Sequence, residues 1–258
     1  MEDKKVGIVI PAYNEEKRIR KTLEDYVDFF QGKEKYEILI VLNGCKDNTL
    51  GIVEEYSKKY KLINYLDFKT AGKGFAIEEG FKYCLAKEFD LIGFVDADGA
   101  TPAKEFYALI KKIGAAGGII GNRWDKKSIL LSKQTFSRRV MSRSFNFMVR
   151  VLFLMNIKDT QCGAKLFRKE VVEKIIKEIK ISEWAIDVNL LYIAKRKGYS
   201  IKEIPTLWAE PGGSKVNSLK TSIRMLLAIL RLRIIYSPFE KISKPLKPFV
   251  RMIYALTK

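Results

Sequence analysis

The chain has 258 residues, with 48 lysines and arginines against 30 aspartates and glutamates, a net charge of +18, and no histidine. An apolar fraction of 47% suffices for the core of one large domain, and the basic excess favours anionic partners: nucleic acid, phosphorylated small molecules or an anionic membrane surface. The lack of histidine excludes the usual proton shuttle and the commonest transition-metal ligand, so a metal here must be a hard ion held by oxygen, Mg²⁺ or Mn²⁺.

The opening MEDKKVGIVIPAYNEE is charged and runs straight into a strand, unlike a signal peptide. Val6–Ile10 is a continuous apolar run ending at Pro11 and predicts a strand covered on both faces. Asn14-Glu15-Glu16 predicts a helix start, a cap followed by acidic first-turn residues. Glu37–Leu42 predicts a second strand closed by Asn43-Gly44, and a helix follows around Asn48–Lys59. Asn64–Phe68 is a short third strand, and Ala71-Gly72-Lys73-Gly74 opens a helix through Leu85. Leu91–Val95 is a fourth strand ending at Asp96, Thr101-Pro102 starts a helix, and Gly117–Gly121 reads as another strand. This alternation predicts an α/β fold with a mostly parallel sheet and right-handed crossovers. Ligands bind such sheets beyond the carboxyl ends of strands, here Pro11–Glu15, Asn43–Asp47 and Asp96–Asp98, which are polar where the strands are oily.

Residues 136–157 mix Arg138, Arg139, Arg143 and Arg150 with Phe145, Phe147, Met148, Leu152 and Phe153. DTQCGAKLFRKE reads as a turn leading into a helix, WAIDVNLLYIAKRKGY as a helix with Asp187 near its start, and EIPTLWAEPGGSKV as a short strand and a Gly-rich loop. From Leu219 a basic helix is expected, with Leu219, Ile223, Leu226, Leu227, Leu230 and Ile234 on one face and Met225, Ile229 and Leu232 on the other. Its apolar run Met225–Leu230 is bounded by Arg224 and Arg231, and no run reaches the roughly 18–20 residues of a membrane span. Cys45, Cys84 and Cys162 form no CxxC, so a reduced, cytoplasmic compartment is the default.

Asp96 and Asp98, at i and i+2 after a strand, can face one ligand together, the number of carboxylates Mg²⁺ takes when phosphate oxygens and water complete its shell. Pro11, Ala12, Tyr13 and Glu15 with Asn43 and Asp47 would floor a nucleoside, Tyr13 by stacking on the base and the acids by accepting from ribose or base N–H groups. Helix capping by Asn14 and a tight turn at Asn43-Gly44 account for the same residues. Lys73, between two glycines at a helix start, is a candidate phosphate contact. Neither a G-x-x-x-x-G-K-[ST] loop nor a G-x-G-x-x-G after the first strand occurs, so neither a P-loop nor a Rossmann site is supported.

VIPAYNEEKRI, NGCKDNT, GKG, VDADGATP, DTQCGAKLF, WAIDVNLLYIAKRKGY and GSKV, in that order over residues 5–217, resemble family-two glycosyltransferases of the nucleotide-diphosphosugar-transferase (GT-A type) fold. Within that family the chain looks most like dolichyl-phosphate β-glucosyltransferases, then dolichyl-phosphate mannose synthases. The resemblance implies a catalytic domain over 1–217 and an inverting transfer of a hexose, glucose and UDP favoured, to a polyprenyl or dolichyl phosphate. It implies that Asp96, Ala97 and Asp98 meet metal and diphosphate, and that Pro11, Tyr13, Glu15 and Asp47 bind the nucleotide. The eukaryotic glucosyltransferases carry an N-terminal anchor and some mannose synthases C-terminal spans; the reading expects neither here. Where the family usually shows QCGFK and DVELL, this chain has Ala164 and Asn189, the second a lost carboxylate.

A phosphate acceptor suits a site without histidine, because its second pKa of about 6 leaves it largely dianionic near neutrality, with no proton to remove. It needs cations to position it: Arg123, Arg138 or Arg139, Lys165 and Lys215 are the candidates. Asp187 is the candidate base if the acceptor is a sugar hydroxyl, and otherwise orients the sugar or a basic residue. Asp159, Gln161 and Trp184 are expected in the sugar pocket, and Cys162 is expected to be packed rather than nucleophilic. A membrane-borne acceptor would explain residues 136–156 and 218–258 as a basic amphipathic platform on the cytoplasmic face. The competing readings are a same-fold transferase using GDP-mannose or a soluble acceptor, a nucleotidyltransferase, and a nucleic-acid-binding protein, for which no zinc or helix-turn-helix signature appears.

Overall fold

The computed structural model describes residues 4–33, 35–131, 136–179, 185–209 and 218–237. The apolar runs form the central strands because only a strand covered on both faces can bury every side chain. β1 (Val6–Ala12) is buried throughout, and β2 (Tyr36–Asn43) from Ile38 onward. Helices α1 (Ile19–Phe30), α2 (Thr49–Lys59) and α3 (Lys73–Ala86) alternate with β3 (Ile63–Phe68) and β4 (Leu91–Phe94). Then come α4 (Ala103–Lys112), β5 (Gly118–Asn122), β6 (Ile129–Leu130) and α5 (Phe136–Phe153). The chain continues through β7 (Lys165–Arg168), α6 (Lys169–Glu178), α7 (Ile186–Arg196), β8 (Ile201–Pro205), β9 (Leu207–Trp208) and α8 (Ser218–Ile235).

Seven strands form one sheet in the order β3-β2-β1-β4-β7-β5-β8, and β6 and β9 pair separately. Neighbours run parallel except β7, which is antiparallel to both β4 and β5. Side chains alternate between two cores, as the pleat requires. Ile8, Ile10, Ile38, Ile40 and Leu42 pack with α1, α2 and α4, while Val9, Leu39 and Val41 pack with α3 and α5 to α8.

Two local expectations change. The first helix begins at Ile19, not at Asn14, because Asn14 adopts φ 54° and its Oδ1 accepts the backbone N–H of Lys46 at 2.7 Å. Within DTQCGAKLFRKE, Lys165–Arg168 is a strand, since both its edges find partners in β4 and β5. The two apolar faces of α8 separate: Ala228, Ile229 and Leu232 enter the core, while Leu230 and Ile234 stay exposed. Asn189, fully buried, accepts the hydroxyl of Tyr236 at 2.8 Å and so fastens the end of α8 to α7. α8 thus packs into the core of the catalytic body, and residues 238–258 of the expected extension lie outside the described residues. Among the described residues no helix is long and apolar enough to cross a membrane.

Candidate active site

The crossovers diverge on either side of β1 and β4, so a crevice opens at the carboxyl ends of these adjacent strands. Asp96 and Asp98 sit there, on a loop braced by α1. Thr22 Oγ1 donates to the carbonyl of Ala97 at 2.8 Å, and the Tyr26 hydroxyl donates to the carbonyl of Thr101 at 3.2 Å. The turn is completed by Ala100 N–H donating to Asp98 Oδ1 at 3.0 Å and by Gly99 at φ 73°, a left-handed conformation that favours glycine. Opposite, a Cβ at Gly163 would lie 2.3 Å from Asp96 Oδ2, so only glycine lets that turn approach the carboxylate.

Asp98 makes no ion pair among the described residues; burial, then the neighbouring Asp96, push its carboxyl up to about 6. Asp96 receives the Lys73 ammonium at 2.8 Å. Lys73 also lies 3.3 Å from Asp187 Oδ2, and the other oxygen of Asp187 lies 2.5 Å from Lys165 Nζ. Burial pulls the Lys73 ammonium down, but Asp187 and Asp96 outweigh it and its pKa rises. Burial pushes Asp187 up, yet Lys165 and Lys73 outweigh it and hold the carboxyl below the usual range. Asp187 is thus engaged with two basic residues, the arrangement expected of it for a phosphate acceptor, where it orients a basic residue rather than taking a proton. Lys165 is fully buried, its ammonium held by Asp187 and by the carbonyl of Cys162 at 2.5 Å. It is not presented to an acceptor phosphate, contrary to expectation.

Asp96 and Asp98 fit a hard divalent cation. Both donors are carboxylate oxygens, Asp98 is unpaired, and Asp96 already carries a cation, the Lys73 ammonium. Among the described residues no group of three or more His, Cys, Asp or Glu is arranged around a metal position. The remaining ligands would come from the diphosphate and water.

Tyr13 stands at the rim, 49% exposed, available to stack. Pro11 and Ala12 are buried within β1 and offer backbone only. Glu15 is clamped by Arg18 through two contacts of 2.7 Å, and its N–H donates to Thr49 Oγ1 at 2.8 Å. Asp47 accepts from Thr49 Oγ1 at 2.5 Å, Thr49 N–H at 3.1 Å and Glu16 N–H at 3.2 Å. Asn43 is buried; its Nδ2 donates to the Ala12 carbonyl at 2.7 Å and its Oδ1 accepts from Gly72 N–H at 3.0 Å. Its amide locks β1, β2 and the loop before α3 together and is not offered to a nucleotide, contrary to expectation.

Across the crevice, Asp159 is fully buried and gives its oxygens to Arg123 at 2.7 and 2.8 Å, so it does not line a sugar pocket. The Arg123 guanidinium carbon lies 5.7 Å from the ring centre of Trp124 and 5.3 Å from that of Trp208. Arg143 of α5 covers Trp124 as well, at 5.4 Å. Among the described residues, Gln161 Nε2 and Trp124 Nε1 are buried donors without a partner. Cys162 is buried and its thiol is pushed up to about 11, chiefly by burial, as expected of a packed residue. Arg138 and Arg139 stand in the first turn of α5; Trp184 and Lys215 lie outside the described residues. The sequence reading missed Arg18, Thr49 and Gly163, and placed Arg143 only in the basic stretch of α5. Of the three missed, only Arg18, three residues after Glu15, had a local signal, the i,i+3 spacing of an ion pair.

Residues 7–176 match the family model for glycosyl transferase family 2. The chain is 36% identical over 251 residues to the dolichyl-phosphate β-glucosyltransferase of Dictyostelium discoideum, covering 90% of this chain and 74% of the relative. It is 32% identical to the enzyme of the same name from Saccharomyces cerevisiae, covering 90% and 75%. Among solved structures it resembles glucosyl-3-phosphoglycerate synthase of Mycobacterium tuberculosis in complex with Mn²⁺, UDP and glucosyl-3-phosphoglycerate. The TM-score is 0.67 at 14% identity, over 88% of this chain and 79% of that one. The Pyrobaculum calidifontis mannosyltransferase with GDP-Man and Mn²⁺ aligns with TM-score 0.60 at 15% identity, over 96% and 68%. These likenesses establish the fold.

Proposed function

The chain belongs to glycosyl transferase family 2, and from that premise we propose that this glycosyltransferase moves a hexose from a nucleotide-diphosphate sugar to a polyprenyl or dolichyl phosphate, with inversion at the anomeric carbon. Glucose from UDP-glucose is the favoured donor chemistry, supported by relatives named dolichyl-phosphate β-glucosyltransferase along nine-tenths of the chain. The observation that carries the reading of a metal-held nucleotide diphosphate is Asp98, without an ion pair among the described residues, beside Asp96 at the end of β4.

Asp96 and Asp98 would hold Mg²⁺ or Mn²⁺, which would neutralise charge developing on the leaving diphosphate. Tyr13 would cover the base, with Glu15 and Asp47 at the ribose edge in positions set by Arg18 and Thr49. An oxygen of the acceptor phosphate attacks the anomeric carbon as the bond to the nucleoside diphosphate breaks. No proton moves, which accords with a site whose buried aspartate is held ionised by two lysines. Among the described side chains, Arg123, oriented by Asp159, and Arg139 on α5 would receive the acceptor phosphate.

The acceptor's lipid would be met by α5. Val140, Phe147, Val151 and Leu154 are 45–79% exposed, and the first three, at i, i+7 and i+11, share one helix face. Arg139, Arg143 and Arg150 are exposed beside them. An exposed apolar stripe flanked by arginines suits the surface of an anionic bilayer, the cytoplasmic leaflet in this reading.

The test is product analysis with purified protein, Mn²⁺, UDP- and GDP-sugars and polyprenyl phosphate in vesicles. Lipid-linked hexose with release of UDP or GDP is expected. Pyrophosphate release, or transfer only to a water-soluble acceptor, would overturn the proposal.

A further inference from the structure

Lys73 bridges two carboxylates of unequal exposure. Asp187, 6% exposed, is fixed by Lys165, which is itself fully buried and tied to the carbonyl of Cys162. Asp96, 33% exposed, lies at the open end of the network, and Lys73 spans the two at 2.8 and 3.3 Å with its side chain 37% exposed. With Asp98 the group holds three carboxylates and two ammonium groups, one net negative charge when all are ionised. Without Lys73 it would hold two negative charges, the complement of a divalent ion. The ammonium can leave Asp96 without being stranded, because Asp187 remains beside it and four flexible side-chain bonds allow the swing.

We propose that Lys73 is an internal competitor for the metal: it neutralises Asp96 in the donor-free enzyme, is displaced when the divalent cation arrives, and is then directed by Asp187 toward the incoming diphosphate. Lys165 acts through Asp187 as a positioning residue, holding the pivot on which Lys73 turns. The consequence is order. The enzyme binds metal weakly by itself and well with the donor, whose phosphates give the displaced ammonium a new partner.

The inference rests on Asp96 and Asp98 as metal ligands, and the experiment separates the two. Mn²⁺ binding without nucleotide is measured by electron paramagnetic resonance for the wild type, Lys73→Met and Asp96→Asn. Lys73→Met is expected to bind Mn²⁺ about fivefold more tightly, the scale of one removed ion pair and a removed like charge, while its turnover falls. In the wild type, Mg²⁺ alone is expected to raise the acylation rate of the Lys73 amine read by mass spectrometry. A folded Lys73→Met with equal or weaker Mn²⁺ affinity overturns the inference, as does Lys73 reactivity that Mg²⁺ leaves unchanged or lowers; the second measurement needs no variant. Mn²⁺ binding that Asp96→Asn leaves intact sinks the metal reading itself, and this inference with it.

Discussion

Asp159 gives both carboxylate oxygens to Arg123, Oδ2 to Nε at 2.7 Å and Oδ1 to Nη2 at 2.8 Å, with the acid fully buried. Its Oδ2 also accepts the backbone N–H of Arg123 at 2.9 Å. The guanidinium is thus held near the rings of Trp124 and Trp208. Removing one member of a buried pair leaves the other uncompensated. Asp159→Ala is expected to cost about 3–5 kcal/mol in denaturant unfolding. Arg123→Lys, which keeps the charge and loses the fork, should leave more stability and still impair transfer.

The raised carboxyl of Asp98 makes metal binding pH-dependent. A cation must displace the proton, so Mn²⁺ affinity should fall by up to about tenfold per unit as pH drops below about 6. Titration calorimetry between pH 5 and 7.5 reads this directly. Asp98→Asn should abolish transfer and leave no such slope, and EDTA should stop the wild type until Mg²⁺ or Mn²⁺ is restored.

The Asp187 carboxyl is shifted in the opposite direction. Its folded-state pKa lies below the ordinary aspartate value, so its contribution is complete above that value and is lost as pH falls through the lower one. Wild type should therefore melt at higher temperature than Asp187→Asn at pH 6. The gap should close as pH falls below about 4.

The exposed stripe of α5 can be altered without touching the core. Phe147 is 67% exposed and Leu154 is 79% exposed. Phe147→Glu should weaken binding to anionic vesicles by about tenfold or more, the scale of one buried aromatic, with the melting temperature unchanged. Vesicle sedimentation checks it, and undiminished partitioning would refute the role of this face.

Much of the fold was readable because its signals are local. The runs Val6–Ile10, Glu37–Leu42 and Leu91–Val95 carry their own burial in their composition, and each became a strand. β7 was not readable: Lys165–Arg168 is a strand only because β4 and β5 flank it, and neither partner is near it in sequence. The start of α1 was misplaced for a similar reason, since Asn14 is turned by a bond to Lys46, thirty-two residues on. Within the site, Asp96 and Asp98 stood out through residue type and spacing. The duties of Asn43, Asp159 and Lys165 did not, because their partners are Ala12 and Gly72, Arg123, and Asp187.

The sequence by itself determined that oily parallel strands end in acids, that catalysis proceeds without histidine, and that any metal is held by oxygen, because residue type and period settle these. Only the tertiary structure decided which charges are spent on each other. An ammonium and a carboxylate far apart in the chain look alike as ligands or as partners until folding sets the distance between them. At 2.5 to 3.3 Å, Lys165, Asp187, Lys73 and Asp96 are one another's counterions, and the strength of that pairing depends on separation and burial, which no linear order contains.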